Sequence, residues 1–173
     1  MRILGTLAGA VMLLGWAAPT LATDVTIKLQ VPRLDVAEYH RPYIAVWVEN
    51  QDQSTAAQLA LWYQTDSKQE DGTQWLKDLR QWWRRGGREL QMPVDGVTGA
   101  TRPVGEHVLN FKNTDPQLAK LAPGKYNVVI EAVREVGGRE LLRLPFEWPA
   151  TQKQQATATG KTELGAVTLN VTP

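Results

Sequence analysis

Apolar residues recur with a period of two along most of this chain, and that period restricts the fold. Residues 25–31, Val-Thr-Ile-Lys-Leu-Gln-Val, alternate apolar and polar side chains, the pattern of a half-buried strand. Residues 43–49, Tyr-Ile-Ala-Val-Trp-Val-Glu, repeat it with β-branched and aromatic residues. Residues 58–63 read as a third strand, residues 126–133 as a fourth after the Pro123-Gly124 turn signal, and residues 166–171 as the last. Gly137-Gly138 leads into residues 140–147 and predicts a hairpin. The Gln- and Thr-rich stretch 151–160 reads as a loop. Short strands separated by turn signals predict a mainly β chain, an antiparallel Ig-like β-sandwich. Strands do not alternate with helices, which argues against a parallel nucleotide-binding sheet.

One amphipathic helix is expected as an insertion, over residues 73–85. Its apolar residues Trp75, Leu76, Leu79, Trp82 and Trp83 trace one helical face. Lys77, Asp78, Arg80, Gln81, Arg84 and Arg85 fill the other. Thr73 is the expected N-cap and Gly86-Gly87 the stop.

The first 22 residues read as a secretory signal: Arg2, an apolar run, and small residues ending at Ala22. Residues 23–173 then form a single domain, long enough to bury a core. The chain has no cysteine, which removes disulfides, thiolate metal sites and a Cys nucleophile. A net charge of +1 gives no ground for a nucleic-acid partner. Seven Trp residues are the compositional anomaly.

The segment that carries chemistry is residues 95–101, Asp-Gly-Val-Thr-Gly-Ala-Thr. It resembles the flavinylation motif, Asp-x-x-Ser/Thr-Gly-Ala-Ser/Thr, whose final hydroxyl is esterified with the phosphate of FMN by periplasmic FMN transferases. Five restricted positions coincide by chance in about one chain per thousand of this length, so coincidence is a poor account. The chemistry needs a hydroxyl on accessible backbone, and Thr101 offers it. Gly96 and Gly99 give backbone freedom and remove bulk. Ala100 keeps the site small. Asp95 and Thr98 can bond nearby backbone and shape a turn on what is expected to be a flexible loop. Arg102 can neutralise the phosphodiester, and Pro103 ends the loop.

The resemblance extends to a family of predicted periplasmic proteins encoded beside PepSY-type transmembrane proteins and FMN transferases. It runs through residues 43–49, 59–62, 75–82, 94–103, 123–126 and 131–135. It implies a periplasmic electron carrier with FMN held covalently on Thr101, served by a PepSY-type membrane redox partner. Such a protein has no catalytic residue of its own and is a substrate of the transferase. The chain departs from the family at residues 111–121, where Phe111-Lys112-Asn113 replaces a Trp-Asp-Gly turn.

A binding module for a carbohydrate, peptide or assembly partner is the alternative, since a sandwich with Trp residues suits that too. Of the aromatic residues, Trp82, Trp83 and Trp62 are the candidates to stack on the flavin ring, and Trp75, Leu76, Leu79 and Trp82 can instead dock the helix on the sandwich. Arg80, Arg84, Arg85 and Arg88 form a basic cluster that either faces an anion or is a solvated helix face. His40 and His107 lack the spacing of a metal site. Glu131, Arg134 and Glu135 are expected to pair with one another or with neighbouring arginines.

Overall fold

The computed structural model describes residues 22–65 and 71–173. The expected signal segment, apart from its last residue, lies outside them. Among the described residues, nine strands form two sheets packed face to face. One has four strands: β1 (Asp24–Val31), β5 (Gly105–Lys112), β8 (Gln154–Thr159) and β9 (Ala166–Thr172), in the order β5-β1-β9-β8. The other has five: β2 (Tyr43–Glu49), β3 (Thr55–Tyr63), β4 (Thr98–Ala100), β6 (Gly124–Val133) and β7 (Arg139–Trp148), in the order β4-β3-β2-β6-β7. The chain is a β-sandwich. Every pairing is antiparallel except β3 with β4, which is parallel.

The period of two explains the inner core. Val25, Ile27, Leu29 and Val31 of β1 are buried, while Asp24, Lys28 and Gln30 face water. They meet Ile44, Val46 and Val48 of β2 and Val128 and Ile130 of β6 between the sheets. β2 departs from simple alternation: Ile44 to Val48 are buried without a break. The outward residues Ala45 and Trp47 join a second core with Leu61, Val129, Leu76, Leu79 and Trp82. The helical segment lies on the outer face of the five-stranded sheet, so its central strands are covered on both sides.

That segment differs from the expected single helix. A 3-10 turn spans Gly72–Asp78 and a short α-helix, α1, spans Arg80–Arg84. Leu79 joins them with non-helical backbone, φ −72° and ψ 70°. The cap is Asp71, whose carboxylate accepts a hydrogen bond from Thr73 N at 2.9 Å, so Thr73 is not the N-cap. The buried residues are Leu76, Leu79 and Trp82. Their spacing of three matches 3-10 winding, where side chains at i and i+3 eclipse. Trp75 falls off that line and is 45% exposed, against the expectation that it docks the segment.

A carboxylate of the sheet fixes this cover. Glu131 on β6 is fully buried, and its oxygens accept from Trp82 N at 2.8 Å and Gln81 N at 3.1 Å. Arg139 completes the site at 2.9 Å. Negative charge at the start of a helix meets its unbonded N–H groups. The pairing expected among Glu131, Arg134 and Glu135 is therefore distributed otherwise. Glu131 holds Arg139, Arg134 holds the buried Glu163 at 2.9 Å, and Glu135 reaches His40 at 3.4 Å.

Three strands lie where none was expected, β4, β5 and β8, and the last two belong to the four-stranded sheet. β8 occupies most of the stretch read as a loop, and β5 runs into the departing segment, ending at Lys112. Both are edges of the four-stranded sheet. In the loop before β9, the Glu140 carboxylate accepts from the backbone N–H groups of Lys161, Thr162, Glu163 and Leu164 at 2.6–3.1 Å. Burial pushes its pKa up, but the four donors together outweigh that and hold it below its ordinary 4.5. The folded value is the lower one. The stabilisation is therefore present above pH 4.5 and lost as pH falls through the folded value. Partial exposure limits its size to about 1–2 kcal/mol. Glu140→Gln should lower the urea midpoint at pH 7, and the gap to wild type should close below pH 4.5. A gap independent of pH would show that the charge is not what holds the loop.

Candidate functional site

The motif begins as a turn. Val97 N and Thr98 N both donate to Val94 O, at 3.2 and 2.9 Å, and Val94 N donates to Thr98 Oγ1 at 2.9 Å. Thr98 thus shapes the turn through its side chain, as the residue type allows. Gly96 sits at φ +70°, where a side chain is strained, and its carbonyl accepts from Gln117 Nε2 at 2.8 Å. Val97 turns inward to the second core. Asp95 and Gly96 face water.

The acceptor segment is not the flexible loop expected. Thr98, Gly99 and Ala100 form β4 and pair in parallel with Leu61, Trp62 and Tyr63. Leu61 N donates to Val97 O at 2.9 Å and Thr101 N to Tyr63 O at 3.1 Å, so the pairing continues past both ends of β4. The physical reason is tertiary. The end of β3 leaves one edge unpaired, and the motif backbone satisfies it. β4 is itself the outermost strand of its sheet.

Gly99 does not have a positive φ, and a Cβ there would meet Trp62 Cδ1 at 3.5 Å and Arg102 Nη2 at 3.8 Å, ordinary contact distances. Ala100 is exposed. The fold therefore does not exclude a Cβ at Gly99, nor does burial restrict residue 100. Arg102 is exposed and lies over the Trp62 ring, 5.2 Å from its centroid. His107 meets the same indole edge-on at 5.7 Å, and one of its ring nitrogens lies 2.8 Å from Pro103 O.

Thr101 is half-buried and lies on the wall of a cavity of about 440 Å³. The other walls come from distant parts of the chain: His40, Arg41 and Tyr43 before and in β2, Trp75 on the 3-10 turn, and Arg134 and Glu135 after β6. Burial raises the pKa of the Tyr43 hydroxyl, which stays a neutral O–H donor. The sequence reading assigned neither Tyr43 nor Trp75 to the site. Their signal, an aromatic residue near the motif, is shared by many others in this chain.

Trp82 is placed differently from the expectation that it stacks on a ligand. It is 1% exposed, and its Nε1 donates to Gln58 Oε1 at 2.9 Å, so neither ring face is open. Trp83 lies beside it. The basic cluster is largely satisfied on the surface: Arg84 binds Arg80 O and Gln81 Oε1, Arg85 binds Gln53 Oε1, and Arg88 lies 3.7 Å from Glu89.

The architecture defines a β-sandwich domain with a helical cover on one sheet. Residues 24–166 match the family described as "Predicted periplasmic protein (DUF2271)", and the chain belongs to that family. No curated protein and no solved structure gives a significant match.

Proposed function

We propose that this protein is exported after loss of residues 1–22, carries FMN as a phosphoester on Thr101, and serves as an electron carrier in the periplasm. The observation that carries this reading is the mismatch at Gly99 and Ala100. The fold has room for a Cβ at Gly99 and leaves Ala100 exposed, so their smallness answers to something outside the chain. A transferase that must bring phosphorus up to the adjacent hydroxyl imposes that demand. The family's description as periplasmic and the cavity beside Thr101 are further support.

Loading requires one bond exchange. Thr101 Oγ1 bonds to the phosphorus of an FMN phosphoanhydride bound by the transferase. The anhydride P–O bond breaks, its electron pair leaves with the departing phosphate, and the threonine proton passes to a base of that enzyme. The protein gains one FMN less one water. FMN on Thr101 would supply reversible two-electron, two-proton chemistry, exchanged with a PepSY-type membrane partner on one side and an acceptor on the other.

Co-expression with a periplasmic FMN transferase, followed by intact mass, tests this. Wild type should gain the mass of one FMN less one water, and should stay yellow after denaturation. A protein left unmodified while a known acceptor is fully modified would overturn the reading. Gly99→Ala separates recognition from folding. It should melt within a few degrees of wild type, since its φ suits alanine and such changes shift stability by about 0.4–1 kcal/mol. Its rate of flavinylation should fall at least about tenfold, a loss of about 1.4 kcal/mol in the transfer step. Modification at the wild-type rate would remove the argument from small residues.

A further inference from the structure

We propose that the cavity beside Thr101 is the seat of the isoalloxazine ring, with Trp75 and Tyr43 as its aromatic walls. This rests on FMN attachment at Thr101 and adds where the ring lies.

Four observations converge. The cavity is continuous with the acceptor residue, and its 440 Å³ falls in the range of small-molecule sites, about 300–1,000 Å³. Trp75 is 45% exposed on that wall, while Leu76 and Leu79 beside it are buried. It is the one large-exposure tryptophan among the described residues. A flat amphipathic ring would cover an indole that the fold leaves in water.

Tyr43 is held for the same task. The backbone at Gly72 presses onto it: a Cβ at Gly72 would lie 2.9 Å from Tyr43 Oη and overlap Gln64 O. The Tyr63 ring tilts against it at 6.2 Å. The phenol is packed against the Gly72 backbone and the Tyr63 ring, and its oxygen also meets the Gln64 backbone.

The polar groups fit a ring edged with carbonyls. Arg134 lines the cavity and is 7% exposed. Its Nε and Nη2 bind Glu163, while Nη1 has no partner. Nη1 is itself buried, so Arg134 serves the wall as a fixed, paired cation and not as an open donor. Arg41 adds a second positive charge to the wall, and Glu135 with His40 adds a polar rim.

The test uses flavinylated full-length protein. Intact mass comes first: absence of FMN from wild type would be a failure of attachment, not of the seat. On fully loaded wild type, flavin fluorescence per mole of FMN should be at least about fivefold weaker than after unfolding or proteolysis, because a ring stacked on indole and phenol is quenched. Trp75→Ala should keep the circular dichroism and melting temperature of wild type, since its side chain is largely exposed. It should regain at least half of the lost fluorescence. Iodide quenching of wild-type tryptophan should also fall when FMN is loaded. Loaded wild type as fluorescent as its digest, or Trp75→Ala as dim as wild type, would overturn the seat while leaving attachment intact. Should Trp75→Ala load poorly, comparison of loaded wild type with its digest and the iodide measurement still decide.

Discussion

Thr101→Ala should yield a folded protein that takes up no flavin. The ordering of the acceptor strand depends on backbone: Thr101 N donates to Tyr63 O, and alanine keeps that bond. Removing a half-buried hydroxyl at a strand edge should cost less than about 1 kcal/mol. Loss of the oxygen, in contrast, removes the atom that bonds to phosphorus. Thr101→Ser should restore modification at least in part, since the chemistry needs only the oxygen. Thr98 is the one rival hydroxyl in the motif, but its Oγ1 already accepts a hydrogen bond from Val94 N within the turn. Intact mass of both variants, with peptide mapping of wild type, checks this. FMN found on Thr98, or on Thr101→Ala, would displace the assignment.

Trp82→Ala should lower stability by about 3–5 kcal/mol, the usual cost of truncating a buried Trp. The residue is 1% exposed and stands at the centre of the second core. Its loss leaves Gln58 Oε1 without the indole donor. It also undermines Gly87, which approaches the ring so closely that a Cβ there would lie 2.5 Å from Trp82 Cε3. No neighbour can collapse into the gap without moving that backbone. A urea titration measures the change, and a shift below about 1 kcal/mol would mean that the helical segment is not part of the core.

How much of this was legible in the sequence depended on what holds each element. β1, β2, β6 and β9 were readable because bulky apolar residues mark the faces they bury. β8, with Ala156 and Ala158 as its only apolar residues, packs a shallow edge of the sheet and leaves no such mark. β4 was invisible for another reason. Three residues acquire strand geometry only because β3 ends beside them, and a parallel partner 37 positions away (Thr98 against Leu61) has no local signature. The helical segment was located but wrongly wound. Trp75 and Trp83 suggested a 3.6 period, whereas the residues that are buried recur every three. The motif was legible because its residues are contiguous. The cavity was not, because Tyr43, Trp75, Thr101 and Arg134 come together only through the fold.

Under the proposed function, the carboxylate of Glu131 has a consequence for electron exchange. It ties the start of α1 to Arg139, and so joins the covering segment that bears Trp75 to the hairpin whose turn bears Glu135. Both line one cavity. A redox group seated between walls clamped in this way would meet the same surroundings before and after reduction. Little of the driving force would then be lost to rearranging the protein when its charge changes, which is the condition for rapid transfer in both directions.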